Sequence, residues 1–307
     1  MPEPTVPAGR PLLIAEQGHF FTGLREHTGP YGTAVTGTHV QYQIPRPVRH
    51  ENALVLVHGG GGQALDYLAT PDGRPGWATL FALDGYATYA IDRPGMGRSP
   101  YHPDLHGPPA PPAAYGGFVA GFAAPAEDHT QWPGSGERGD PSLEQFLAGQ
   151  ELFPADLAVA HEDMRRGAVG LLDRIGPAVL VTHSLGGAFG WLAAAARPEL
   201  VKAIVAVEPA GPPFAALGRI GALSYGLTAV PLEARFAGLP VAVVTAEASG
   251  HAGADHATAE YLRATGADVT EIRLAELGIH GNGHLMMLER NNAEIADAIC
   301  EWLAARG

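Results

Sequence analysis

A chain of 307 residues, 46% hydrophobic and 17% charged, can bury one large core, which excludes a disordered or low-complexity protein. A net charge of −13 with no basic run excludes a nucleic-acid backbone as partner. The single cysteine, Cys300, has no intrachain disulfide partner and is expected to be a small buried apolar residue of the last helix.

No stretch approaches the roughly 20 apolar residues of a membrane span. The first eleven residues hold Glu3 and several prolines and lack an apolar signal region, so no membrane association and a cytoplasmic location are expected.

In chain order, Gly18–Thr22 and Thr38–Ile44 read as an antiparallel opening pair. Continuous apolar runs then follow at Ala53–Val57, Ala87–Ile91, Ala178–Thr182, Ala203–Val207, Val241–Thr245 and Val269–Leu274. Continuous rather than alternating runs are what strands covered on both faces require. Between them the spacing predicts helices over Trp77–Leu83, Asp156–Ile175, Leu185–Ala196, His256–Thr265 (capped by Asp255) and Ala293–Ala305. The expected fold is α/β: a mostly parallel central sheet with helices on both faces. Residues 1–100 and 156–307 form its core. Tyr101–Phe153 lacks a period and is rich in proline and scattered aromatics, so 101–155 is read as an inserted cap or lid.

The candidate chemistry falls just past strand ends, where open α/β sheets place their sites. In Val179–Gly187 a strand turns sharply into a helix at Ser184, the context a nucleophilic serine needs. Small residues are expected two positions either side of it. Gly186 meets that requirement, whereas Thr182 departs from it. His58-Gly59-Gly60-Gly61-Gly62 follows a strand, and such a loop lets backbone N–H groups approach an oxyanion. Gly60 and Leu185, the residue after the serine, are the candidate donors. Asp92–Ser99, a D-x-x-G-x-G-x-S turn, is read as structural, with Arg93 and Ser99 as turn residues. The base expected last in chain order is His284, in Gly281-Asn282-Gly283-His284. His280 is its local rival, and His183 is read as packing. Metal ligation by His280 and His284 lacks a third ligand motif. Glu208, Glu247 and, more weakly, Asp255 are the candidate acids, and position along the chain slightly favours Glu247. No metal or organic cofactor is required by this set.

Several stretches resemble the bacterial carboxylesterase family of the esterase seven-thirteen type, within the α/β-hydrolases. They are Thr70–Trp77, Ala203–Pro209 and Gly278–Met287 continuing into Arg290-Asn291-Asn292. The resemblance implies an α/β-hydrolase fold, a small-molecule ester substrate and a homodimer. It also implies a glutamate acid straight after the sixth strand, here Glu208, which reverses the preference for Glu247. Ser184, His284 and Gly60 map to nucleophile, base and loop donor. The chain departs from the family at Gly60-Gly61, where the relative carries cysteines. Zearalenone-type lactonases are similar in their acid position, which keeps a cyclic ester among the implied substrates. A hydrolase-fold binding protein with little turnover is the reading from another class.

Overall fold

The computed structural model describes residues 11–30, 32–110, 122, 127–210 and 236–306. Eight strands form one sheet: β1 (Ile14–Gly29), β2 (Gly32–Pro45), β3 (Ala53–Val57), β4 (Thr88–Asp92), β5 (Ala178–His183), β6 (Val201–Val207), β7 (Pro240–Thr245) and β8 (Asp268–Arg273). Their spatial order is β1-β2-β4-β3-β5-β6-β7-β8. The pairs β1–β2 and β2–β4 are antiparallel, and the rest of the sheet is parallel.

Period-two alternation divides the apolar side chains of the central strands between two cores. Leu54, Leu56, Val179, Val181, Val205 and Val244 point to one face. There they meet Trp77 and Phe81 of α2 (Trp77–Asp84), and Ile295 and Ile299 of α8 (Asn292–Ala304). Val55, Val57, Leu180, Ile204 and Val243 point to the other face. They pack on α5 (Leu157–Ile175) and α6 (Gly187–Ala196) through Leu171, Leu172, Phe189 and Leu192. Both faces are therefore covered, as the continuous apolar runs predict.

Three expectations need correcting. The helix expected from His256 begins earlier, as α7 (Ala252–Ala264) after His251, so Asp255 lies in its first turn and caps nothing. Asp255 is instead buried and accepts the Thr245 hydroxyl at 2.6 Å, and burial raises its carboxyl to about 8. The helix after the serine opens with a 3-10 turn over Ser184–Gly186 before α6. Tyr101–Phe153 is not wholly irregular, since it contains the single turn α3 (Pro103–His106) and α4 (Pro141–Ala148). Asp140 caps α4 by accepting from the Ser142 N–H at 2.9 Å. Residues 111–121 and 123–126 of the expected cap lie outside the described residues. Cys300 does lie on α8, packed against the core yet only partly buried.

Candidate active site

Ser184 stands at the end of β5 with φ of 49°, a conformation that favours glycine and costs a β-carbon-bearing residue on the order of 1–3 kcal/mol. The surrounding chain is shaped to hold that turn. A β-carbon on Gly186 would run into the His58 carbonyl. One on Gly59 would fall 3.1 Å from the Ser184 Cβ. The departure at Thr182 is absorbed by Gly190 on α6, where an added Cβ would come 3.1 Å from the Thr182 methyl. Small size is thus supplied from across the helix rather than by the strand itself.

The glycine loop lies against this elbow. A Cβ on Gly60 would approach the Leu185 Cδ1 to 2.5 Å, so the Leu185 side chain packs against Gly60. Before the loop, His58 is fully buried, and burial lowers it to about 3, so it is neutral. Its Nε2 accepts the Arg93 backbone N–H at 2.9 Å, which assigns the proton to Nδ1, and that Nδ1–H donates to the Gly59 carbonyl at 2.9 Å.

Glu208 follows β6 on the strand next to the serine, also with positive φ, 40°. That turn directs its carboxylate into the interior, where its exposure is 0%. One oxygen accepts the His284 Nδ1–H at 2.6 Å. The other accepts the Ala246 N–H at 2.8 Å and the Ser249 hydroxyl at 2.5 Å. A proton donated from Nδ1 leaves the Nε2 lone pair of His284 free to act as a base. Burial pushes Glu208 up to about 7, against the pull of His251, the Ser249 hydroxyl and the Ala246 amide. Burial likewise pushes the His284 imidazole down to about 4, so it rests neutral.

Glu247, the acid that position favoured, does not join His284. It bonds the exposed His280 at 3.2 Å and accepts the Gly281 N–H at 3.0 Å, which braces the loop from outside. His183, read as packing, is more than that: its Nε2 donates to the His284 carbonyl at 2.9 Å, and its ring lies 4.5 Å from the His284 ring. On the opposite side His251 stacks on His284, centroids 4.4 Å apart and planes 18° from parallel.

Glu289 carries the loop that presents the histidine. This wholly buried carboxylate accepts the Gly283 N–H at 2.9 Å, the Asn282 amide at 2.7 Å and the His129 Nε2–H at 2.7 Å. Thr130 and Gln131 add backbone bonds to the Gly281 carbonyl at 3.0 and 3.1 Å. Residues 129–131, near the middle of the expected cap, are thus joined to the loop carrying His284. From the other side, the Arg74 guanidinium donates to the carbonyls of Leu288 and Glu289 and to the Asn292 side chain. Sequence reasoning did not single out His251, Ser249, His129 or Glu289. Only Glu289 had a signal, as a carboxylate five residues after the candidate base.

Two groups of side chains have metal-ligand character. Glu208, His251 and His284 have ligand atoms within 4.8 Å of one another. The two rings are stacked, however, so an ion in the plane of one ring lies out of the plane of the other, and the His284 Nδ1 is already given to Glu208. The exposed group His256, Glu260 and Glu271 already holds a cation, since Arg263 donates to Glu260 at 2.6 Å and to Glu271 at 3.0 Å.

Residues 52–228 match the family described as the alpha/beta hydrolase fold. The chain is 37% identical over 309 residues to a probable secreted lipase, phiG, from a fungal species, covering 86% of this chain and 85% of that one. Among solved structures it is similar to a novel bacterial esterase, with TM-score 0.76 and 27% identity over 98% of this chain and 99% of the other. It shares the fold alone with the carboxylesterase CesB (YbfK) of Bacillus subtilis, with TM-score 0.50 and 14% identity over 95% and 93% of the two chains. No described helix is long and apolar enough to cross a membrane. The fungal relative is described as secreted, so the cytoplasmic expectation gains nothing from it.

Proposed function

This chain belongs to the α/β-hydrolase family, and on that footing we propose that it is a carboxylic ester hydrolase working through Ser184, His284 and Glu208. The observation that carries the reading is the buried 2.6 Å bond from His284 to Glu208, at the strand end next to that of a strained serine. The esterase and lipase descriptions of the similar proteins support the same substrate class.

In the first step the Ser184 hydroxyl gives its proton to the His284 Nε2 and its oxygen attacks the ester carbonyl. Glu208 holds the tautomer and balances the imidazolium. The N–H groups of Gly60 and Leu185 receive the oxyanion, each worth about 3 kcal/mol to the transition state. The imidazolium returns the proton to the departing alcohol and leaves an acyl-serine. Water, deprotonated by the same Nε2, releases the acid. His129, Thr130 and Gln131, which bond Glu289 and the Gly281 carbonyl, are described residues of the expected cap that adjoin this site.

Ser184→Ala tests the assignment. The purified variant is expected to lose hydrolysis of short-chain nitrophenyl esters and labelling by a fluorophosphonate probe. Ester turnover retained by that variant would overturn the serine mechanism. A wild-type protein that neither turns over nor labels would mark a binding protein on a hydrolase fold instead.

A further inference from the structure

In the Asp92–Ser99 turn, two residues have plain structural tasks. Asp92 accepts the Ala64 N–H at 2.8 Å and the Arg98 Nε–H at 2.7 Å, and the Ser99 hydroxyl donates to the Asp92 carbonyl at 2.7 Å. Arg93 does something else. Within the turn it is 3% exposed, and its guanidinium donates from Nη2 to the Gly59 carbonyl at 2.6 Å. Among the described residues it forms no ion pair, and its Nε has no hydrogen-bond partner. A buried guanidinium without a bonded carboxylate is costly, so its retention calls for a reason. Burial lowers it to about 10, which leaves it cationic at neutral pH. The nearest electrostatic influences raising it are Asp66 and Tyr67, and burial pushes Asp66 up to about 7.

The Gly59 carbonyl therefore has two donors, Arg93 Nη2 and His58 Nδ1. A trans peptide is planar, with its C=O and its N–H pointing in opposite directions. Clamping the Gly59 oxygen on one side fixes the Gly60 N–H on the other. A β-carbon on Gly59 would meet Ser184 and one on Gly60 would meet Leu185, so this peptide lies against the elbow. We propose that Arg93 is the positioning residue of the oxyanion hole: with His58 it anchors the Gly59 carbonyl, aims the Gly60 N–H, and sets a buried positive charge one peptide behind the developing oxyanion. This rests on the serine hydrolase reading. The benefit grows as negative charge develops, so it belongs to the transition state rather than to the bound ester.

The test compares wild type, Arg93→Lys and Arg93→Met by steady-state ester hydrolysis. It also measures inhibition by an aryl trifluoromethyl ketone, which adds to the serine as a tetrahedral anion, and by the matching methyl ketone, which binds as a neutral carbonyl. The expected result for Arg93→Met is a kcat loss of roughly 100-fold, with KM within about threefold. Trifluoromethyl ketone affinity should fall in parallel, while methyl ketone affinity holds. Arg93→Lys should recover at least about tenfold of the lost kcat, since a cation is restored. If Arg93→Met does not fold, Arg93→Lys and Arg93→Gln carry the same comparison, and the lysine variant must again be the more active. Equal losses for both ketones, or kcat within about threefold of wild type in Arg93→Met, would overturn the proposal. Should wild type escape fluorophosphonate labelling, the serine reading itself has failed, and that outcome is separate from either of these.

Discussion

His251 lies flat against His284, while its own backbone N–H donates at 3.2 Å to the Ser249 hydroxyl that also bonds Glu208. One short segment after β7 thus touches both members of the buried pair without carrying either. Burial and the neighbouring His284 both hold His251 below its ordinary value, so its ring is neutral and acts through its face.

The first prediction follows from that contact. His251→Phe keeps a flat ring and should leave kcat within about threefold, whereas His251→Ala removes the stacking surface and should cost roughly 2- to 10-fold. Steady-state kinetics on the two variants decide it. Equal losses in both would mean that the imidazole nitrogens, not the ring face, matter.

The two candidate acids should separate by kinetics and by pH. In Glu208→Gln the amide oxygen is claimed by the Ala246 N–H and the Ser249 hydroxyl, so the NH2 faces Nδ1 and cannot accept its proton. Its kcat is expected to fall by about 10³–10⁴-fold, whereas Glu247→Gln, at a bond near the surface, should stay within about threefold. The sign of the pH effect is set by burial. Glu208 is raised to about 7, so the wild-type pair takes up a proton near neutrality and kcat/KM should rise with pH through that region. With glutamine in its place only the depressed His284 titrates, and the residual activity should persist well below pH 6.5. An acid limb that stays put in Glu208→Gln would count against Glu208 as the partner.

Glu289 should matter more for stability than any exposed carboxylate. Glu289→Ala leaves the Gly283 N–H, the Asn282 amide and His129 without their buried acceptor, a loss of about 3 kcal/mol or more. The expected melting temperature drop is roughly 6–12 °C. His129→Phe removes one of those bonds only and should cost less than half as much. A thermal melt of each variant, read beside its kcat, checks both the order and the link from the expected cap to the catalytic loop.

Backbone strain at the nucleophile gives a comparison free of chemistry, because Ser184→Ala and Ser184→Gly both lack the hydroxyl. At φ of 49° glycine relaxes a conformation that alanine does not. Ser184→Gly should therefore be the more stable of the two by about 1 kcal/mol, measured by chemical denaturation. A more stable alanine variant would show that the turn holds no strain.

The fold was legible because its signals are local. Ala53–Val57 forms the strand expected to the residue, and the six apolar runs all became parallel strands or, at β4, the strand that joins the two sheet halves. Ser184 and His284 stood out in the sequence as candidates because turn chemistry and chain order mark them. The acid was ambiguous because Glu208 and Glu247 both follow strands. What distinguishes their surroundings is a backbone turn of 40° and a burial that no spacing encodes. Arg93 was legible only as a turn residue: the inward direction of its side chain depends on the His58–Gly59 segment, 34 residues earlier. The Thr70–Trp77 and Gly278–Asn292 stretches look unrelated along the chain. Their shared occurrence is explained by Arg74 and Trp77, which bond the Leu288–Asn292 backbone directly.

An acid on β6 also has a consequence for how this catalyst can change. On the proposed mechanism Ser184 and Glu208 occupy adjacent strand ends, so the segment after β7 supplies no member of the triad and instead supports the pair, through the Ala246 N–H, the Ser249 hydroxyl and the His251 ring. Substitutions there are expected to change the rate by degrees, where substitutions at the pair itself should cost orders of magnitude. A randomised library over that segment should therefore return a continuous spread of rates, which makes it the natural dial for tuning this enzyme to a new working pH.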